Sequence, residues 1–146
     1  MNTLQLQQIL NDDPWVSNGY VCSIDKLPQS ITDYPLSLII NTDESDQPGE
    51  HWIAVYIVSP KEAEFFDSYG HEPCYMDDRL CHFLSNYNVL YNSQPFQGPL
   101  SVVCGHYCVL FILHRSRGVS FYDILHVLNS VNSDDLVEHN LSKFHI

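Results

Sequence analysis

Gln97-Gly98-Pro99-Leu100-Ser101-Val102-Val103-Cys104-Gly105-His106-Tyr107-Cys108-Val109-Leu110-Phe111-Ile112-Leu113-His114 divides into a loop and a helix. Gln-Gly-Pro is turn-forming punctuation. The segment from Cys104 onward is apolar enough to predict a buried helix, and Arg115, Arg117 and Gly118 supply a basic last turn and a stop. A cysteine at the mouth of such a helix meets unpaired backbone N–H groups and the positive end of the helix dipole, both of which favour the thiolate. Cys104 is therefore the candidate nucleophile, and the rest of the chain is read for what would hold partners around it.

Working outward, His51-Trp52-Ile53-Ala54-Val55-Tyr56-Ile57-Val58 predicts the strongest strand, being rich in β-branched and aromatic residues. Ser59 to Glu62 predicts a turn, and residues 63–68 its hairpin partner, closed by Tyr69-Gly70. Further short strands are expected at 35–41 and 88–92, with a polar loop from Thr42 to Gly49. Helices are expected at 77–86, with Leu80, Phe83 and Leu84 on one face, at 121–128 after a Ser120 cap, and from Ser133 to about Phe144. Residues 3–10 predict a helix capped by Thr3 and facing inward through Leu4, Ile9 and Leu10, although the alternation at Leu4-Gln5-Leu6 also permits a strand. Asn11 to Pro14 ends that element, and 15–35 reads as an irregular leader with one short helix. Together these give one α+β domain over 1–146: a small mixed or antiparallel sheet flanked by helices, with the nucleophile at the N-terminus of a buried central helix.

The composition is that of a globular chain, 45% hydrophobic and 12% aromatic over 146 residues. No apolar run approaches the ~20 residues of a membrane span, and residues 1–10 lack the pattern of a secretion signal. The expectation is a soluble protein that is not secreted. The 18 acidic residues outnumber 6 basic ones, a net charge of -12, and no basic run exists, which disfavours strong binding to DNA. Five cysteines, at 22, 74, 81, 104 and 108, have no framework-like spacing and are read as free thiols.

Thiol catalysis needs a base, a group that orients the base, and donors for the developing oxyanion. If 51–58 and 63–68 pair as a hairpin, His51 and Asp67 at its far ends become neighbours across the ladder, placing a carboxylate beside an imidazole. Gln97, seven residues before Cys104, can reach the same pocket, where its amide and the Cys104 N–H could bind an oxyanion. Taken singly, His51 and Asp67 are equally well a surface histidine and a turn former, and Cys104 an inert core thiol. His71, Cys74, Cys81 and His82 could compose a metal site, as could Cys104 and Cys108 one turn apart, but neither set has the paired short spacing of a zinc centre, and no metal is expected.

The motifs Gly49-Glu50-His51-Trp52, Phe66-Asp67-Ser68-Tyr69-Gly70 and Gln97-Gly98-Pro99-x4-Cys104-Gly105-x-Tyr107-Cys108 resemble those of the adenovirus endopeptidases, the adenains, whose clan includes the SUMO-specific proteases. Leu6 to Leu10, Ser23 to Lys26 and Ile39 to Thr42 resemble the family's leader in order, so the likeness covers roughly 1–131. The order His, Asp, Gln, Cys also differs from papain-type enzymes, which place the cysteine first. The resemblance implies Cys104 as nucleophile, His51 as general base and then acid, Asp67 as its orienter and Gln97 as oxyanion donor. It also implies Trp52 as a wall of the site and Gly105 as a point of close approach for substrate backbone. It further implies no cofactor, polypeptide substrates such as capsid or core precursors, and cleavage after glycine in extended segments with a bulky aliphatic residue upstream. The implied location is the virion or host nucleus, and the implied source an adenovirus-like virus or a mobile element of the Polinton/Maverick or adintovirus kind. Asp67 stands where the adenovirus enzymes generally carry Glu. Around 86–88, where those enzymes join an activating peptide by a disulfide, there is no cysteine; Cys81 is the nearest. An activating peptide and DNA are thus weakly supported partners. Ubiquitin-like tails also end in Gly-Gly, so a deubiquitinating or deSUMOylating isopeptidase is the alternative, followed by a catalytically inactive binding module and an acetyltransferase of the same clan.

Overall fold

The computed structural model describes residues 1–45, 51–97, 103–129 and 133–142. Gly49, Glu50, Gly98 and Pro99 of the sequence motifs, and the expected helix end at Phe144, lie outside them. The chain runs α1 (Thr3–Asp12), β1 (Gly19–Ser23), a 3-10 turn (Ile24–Lys26), β2 (Leu36–Asn41), β3 (Trp52–Ser59), β4 (Glu62–Phe66), α2 (Pro73–Met76), α3 (Asp78–Leu84), β5 (Asn88–Tyr91), α4 (Cys104–Ser116), α5 (Phe121–Leu128) and α6 (Ser133–Ser142). This is the expected α+β architecture.

The sheet has the order β1-β2-β3-β4-β5. Its three central strands are antiparallel, and each edge strand runs parallel to its neighbour. Side chains alternate across it with the period of two that a pleated strand imposes. Ile39, Trp52, Ala54, Tyr56 and Phe66 face one core, with α1, α4, α5 and α6. Leu38, Ile40, Ile53, Val55, Ile57 and Phe65 face the other, with α3 and the 3-10 turn. Burial on both faces explains why β2 and β3 read as unbroken apolar runs. It also explains α4, buried from Tyr107 to Leu113: it lies between the sheet and the outer helices.

Several local expectations need correcting. Thr3 is the first helical residue of α1; Asn2 is the cap, in a reciprocal box with Gln5. Leu6 and Leu10 face inward while Leu4 is 82% exposed. The irregular leader contains an edge strand, β1. Its outer backbone is paired by Gln7, whose side chain accepts from Val21 N–H (2.9 Å) and donates to the Gly19 carbonyl (3.0 Å), a contact that a polar residue on a helix does not announce. The helix expected over 77–86 is α3, capped by the Asp77 carboxylate, and a short helix that was not expected, α2, precedes it across a break at Asp77. Across that break Cys74 and Cys81 form a disulfide, their Cα atoms 4.5 Å apart. Cys22, Cys104 and Cys108 are the free thiols, so the expectation of five is wrong. The bend at Asp77 is tertiary information, and spacing alone does not contain it. Arg115 and Arg117 do more than end α4: Arg115 pairs with the buried Glu64 (2.6 and 3.0 Å) over the Tyr56 ring, and Arg117 with Asp13 (2.7 Å). No described helix is long and apolar enough to cross a membrane.

Candidate active site

His51 immediately precedes β3, and Asp67 immediately follows β4. The ladder pairs Ala54 with Phe66, so the chain ends beyond that pair emerge side by side at one rim of the sheet. There His51 Nε2 donates to Asp67 Oδ1 across 2.6 Å, as the hairpin predicts. With Nε2 committed, Nδ1 is the nitrogen left for Cys104, whose sulfur also hydrogen-bonds the imidazole.

Asp67 is wholly buried, and besides His51 its carboxylate is bonded by the turn that follows it. Oδ1 also accepts from Tyr69 N–H (3.1 Å), and Oδ2 from the N–H and Nδ1–H of His71 (2.9 and 3.0 Å). Burial alone would raise this carboxyl, but the His51, Tyr69 and His71 donors outweigh it and hold it below the usual carboxylate range. The turn that delivers them requires Gly70, at φ +77°, where a Cβ would lie 2.7 Å from the Gln94 carbonyl carbon.

Cys104 is the first residue of α4, and no side chain caps that helix start. Burial works against the thiolate, yet the bonds from His51 and from the backbone N–H groups of Trp52 and Gly105 pull the thiol below its ordinary value. Burial likewise opposes the His51 cation, but Asp67 and Cys104 raise it to about 9. The two shifts describe one event, formation of a thiolate–imidazolium pair, and they titrate together. Cys108, one turn further into the core, lacks those partners, and burial pushes its thiol well above the ordinary range. Of two cysteines on one helix, only the one at the mouth is activated.

Gln97 is buried beside the Asp67 turn. Its N–H and that of Phe96 both donate to the Ser68 carbonyl (3.1 and 2.8 Å), and its Oε1 accepts from Ser68 Oγ at 2.5 Å. Tyr107, in the first turns of α4, donates its hydroxyl to the Phe96 carbonyl (3.0 Å), which ties the Gln97 segment to the helix that carries Cys104. Beneath these residues, Phe66 stacks between Phe96 and Phe111 with nearly parallel rings. Trp52 is mostly buried, its indole N–H donating to the Met1 carbonyl (3.3 Å). Gly105 lies against the indole at the start of α4, where a Cβ would meet Trp52 Cδ1 at 3.4 Å, an ordinary contact distance.

The structure thus brings His51, Asp67 and Cys104 together, with Gln97 locked to the neighbouring turn. Sequence reasoning missed Asn92, His71 and Tyr107. Asn92 is buried after β5, where its Oδ1 accepts from Asp67 N–H (3.0 Å) and its Nδ2 donates to the Asp67 carbonyl (2.6 Å). An asparagine after a strand is ordinary turn sequence and signals none of this. His71, a potential metal ligand by residue type, serves the Asp67 carboxylate instead. Among the described residues no group of three or more His, Cys, Asp or Glu side chains could hold a metal ion.

No protein-family model matches the chain. Over 127 residues, 80% of its length, it is 29% identical to the “Putative thiol protease R355” of Acanthamoeba polyphaga mimivirus. The chain spans 41% of that relative. Among solved structures, the ASFV pS273R protease is similar over 69% of this chain and 41% of its own, with 23% identity and a TM-score of 0.45.

Proposed function

We propose that this chain is a cysteine endopeptidase domain, of the clan that includes the SUMO-specific proteases, with Cys104, His51, Asp67 and Gln97 as its machinery. The observation that carries the reading is a thiol at a helix mouth, bonded to an imidazole that a buried carboxylate grips at 2.6 Å. The likeness to a mimivirus thiol protease supports it.

The mechanism follows from the charges. The Cys104 thiolate attacks the scissile carbonyl carbon, and the carbonyl π pair moves to oxygen. Gln97 Nε2 and the Cys104 N–H donate to that oxygen as it becomes an anion. On collapse of the tetrahedral adduct, the C–N bond breaks and His51 Nδ1–H protonates the leaving amine, which leaves a thioester on Cys104. Neutral His51 then takes a proton from water, the hydroxide adds to the thioester, and the thiolate departs as the acid is released. Asp67 keeps Nε2–H pointed inward throughout and stabilises the cation when it forms.

Substrates are polypeptides, and the specific form of the proposal is cleavage after glycine in capsid or core precursors during virion maturation, with Trp52 as a wall of the channel. Incubating the chain with a Leu-x-Gly-Gly peptide tests it. Cys104→Ala is expected to abolish cleavage while circular dichroism and melting temperature stay near those of the unaltered chain; cleavage that survives the substitution removes Cys104 from the mechanism.

A further inference from the structure

Gln97 can stabilise an oxyanion only if its amide presents N–H rather than C=O to it, and a carboxamide has two nearly isosteric orientations. We propose that Ser68 is the positioning residue that decides between them. The inference rests on the peptidase reading above.

Ser68 is buried, and its hydroxyl bonds Gln97 Oε1 at 2.5 Å. In that orientation the hydroxyl donates and Nε2, on the other branch of the planar amide, points away from Ser68. Turning the amide over would put Nε2 against Ser68 Oγ. The hydroxyl would then accept, its own proton would lose the Gln97 oxygen, and a buried donor would be left without an acceptor. That cost selects the orientation in which Nε2 is the outward group. The same serine holds the residue's main chain, because its carbonyl accepts from both Phe96 and Gln97 N–H. One dipeptide therefore serves both halves of the site: the Asp67 carboxylate orients the base, and the Ser68 hydroxyl orients the oxyanion donor.

A merely structural serine would affect every property of Cys104, whereas this role affects only steps that build an oxyanion. Alkylation by iodoacetamide displaces iodide and forms no oxyanion, so it reads the thiolate alone. Hydrolysis of a Leu-x-Gly-Gly aminomethylcoumarin peptide reads both. Ser68→Ala is expected to lower kcat at least about tenfold, with KM and the site-resolved alkylation rate of Cys104 within about twofold of the unaltered chain. Gln97→Ala should lose at least as much, the double variant no more than Gln97→Ala alone, and Ser68→Thr should recover kcat. If Ser68→Ala does not fold, Ser68→Cys, of similar volume with a weak donor, carries the same comparison. Unchanged kcat in the folded variant, parallel loss of kcat and alkylation, or losses that multiply in the double variant would each overturn the assignment. No hydrolysis by the unaltered chain, with Cys104 still alkylated, would instead overturn the peptidase reading and the inference with it.

Discussion

The two halves of the site are built by different means. His51 and Asp67 are held by a hairpin whose strands are close in sequence and whose ladder brings their ends together. Gln97 and Cys104 belong to a loop and a helix with no ladder of their own. Gln97 is tied to the first half by the hydroxyl and carbonyl of Ser68, and to α4 by Tyr107 on Phe96 and the stacked rings of Phe96, Phe66 and Phe111. Asn92 clamps the Asp67 backbone where the halves meet. A backbone ladder distributes its strength over many bonds. A joint of side chains concentrates it in a few buried polar groups, each expensive to leave unpaired. The first half should therefore tolerate single substitutions structurally and fail chemically, while in the second the side chains that hold the joint, though not Cys104 itself, should cost stability as well.

The largest effect tests the chemical side. His51→Ala removes the proton carrier and the thiolate's counter-ion. Hydrolysis should fall by about 10⁴-fold or more, and Cys104 alkylation at neutral pH should slow, while the melting temperature changes little. Rapid alkylation in that variant would show that the helix mouth activates the thiol unaided.

The pH dependence is next. His51 is raised to about 9, so the imidazolium persists below that pH and is lost as pH rises through it. Cys104 is lowered, so its thiolate persists as pH falls below the ordinary thiol range. Hydrolysis needs both ions and should drop about tenfold per unit above pH 9. Alkylation needs only the thiolate and should hold on that side, both falling in acid. A joint loss on the alkaline side would refute the ion-pair description.

Asn92→Ala strikes the joint between the halves. It leaves the Asp67 N–H and carbonyl unpaired in the interior, and should cost roughly 2–3 kcal/mol in a denaturant titration. A loss within error of zero would mean that water or relaxation replaces the clamp. Tyr107→Phe is the smallest change. Without the hydroxyl's bonds to the Phe96 carbonyl and Asp134 (3.0 and 2.7 Å), stability should fall by about 1 kcal/mol. A larger loss would make α6 part of the joint.

The same division governs what could be read in advance. The β3–β4 hairpin, the buried α4 and the meeting of His51 with Asp67 were legible because periodicity of two, apolar runs and a turn are local properties of the chain. β1 was not: its five residues include two of no apolar character, and its edge is paired by Gln7 from a helix. The Cys74–Cys81 disulfide was not, because it closes across a helix break. Asn92 and His71 were not, because buried polar residues carry no pattern until their partners are in place. Leu4 misled for the converse reason: an apolar side chain on an outer face looks in sequence like a core residue.

By itself the sequence determined most element types, the α+β class, and which residues could do thiol chemistry, since these follow from side-chain chemistry and short-range backbone geometry. Tertiary structure decided which thiol is lowered and which is raised. Cys104 and Cys108 are four residues apart on one helix, and only packing supplies the first with His51, Trp52 and Gly105 while sealing the second in apolar surroundings. Solvation and hydrogen bonding depend on what lies nearby in space, and for this thiol the neighbour that matters most comes from 53 positions away in the chain.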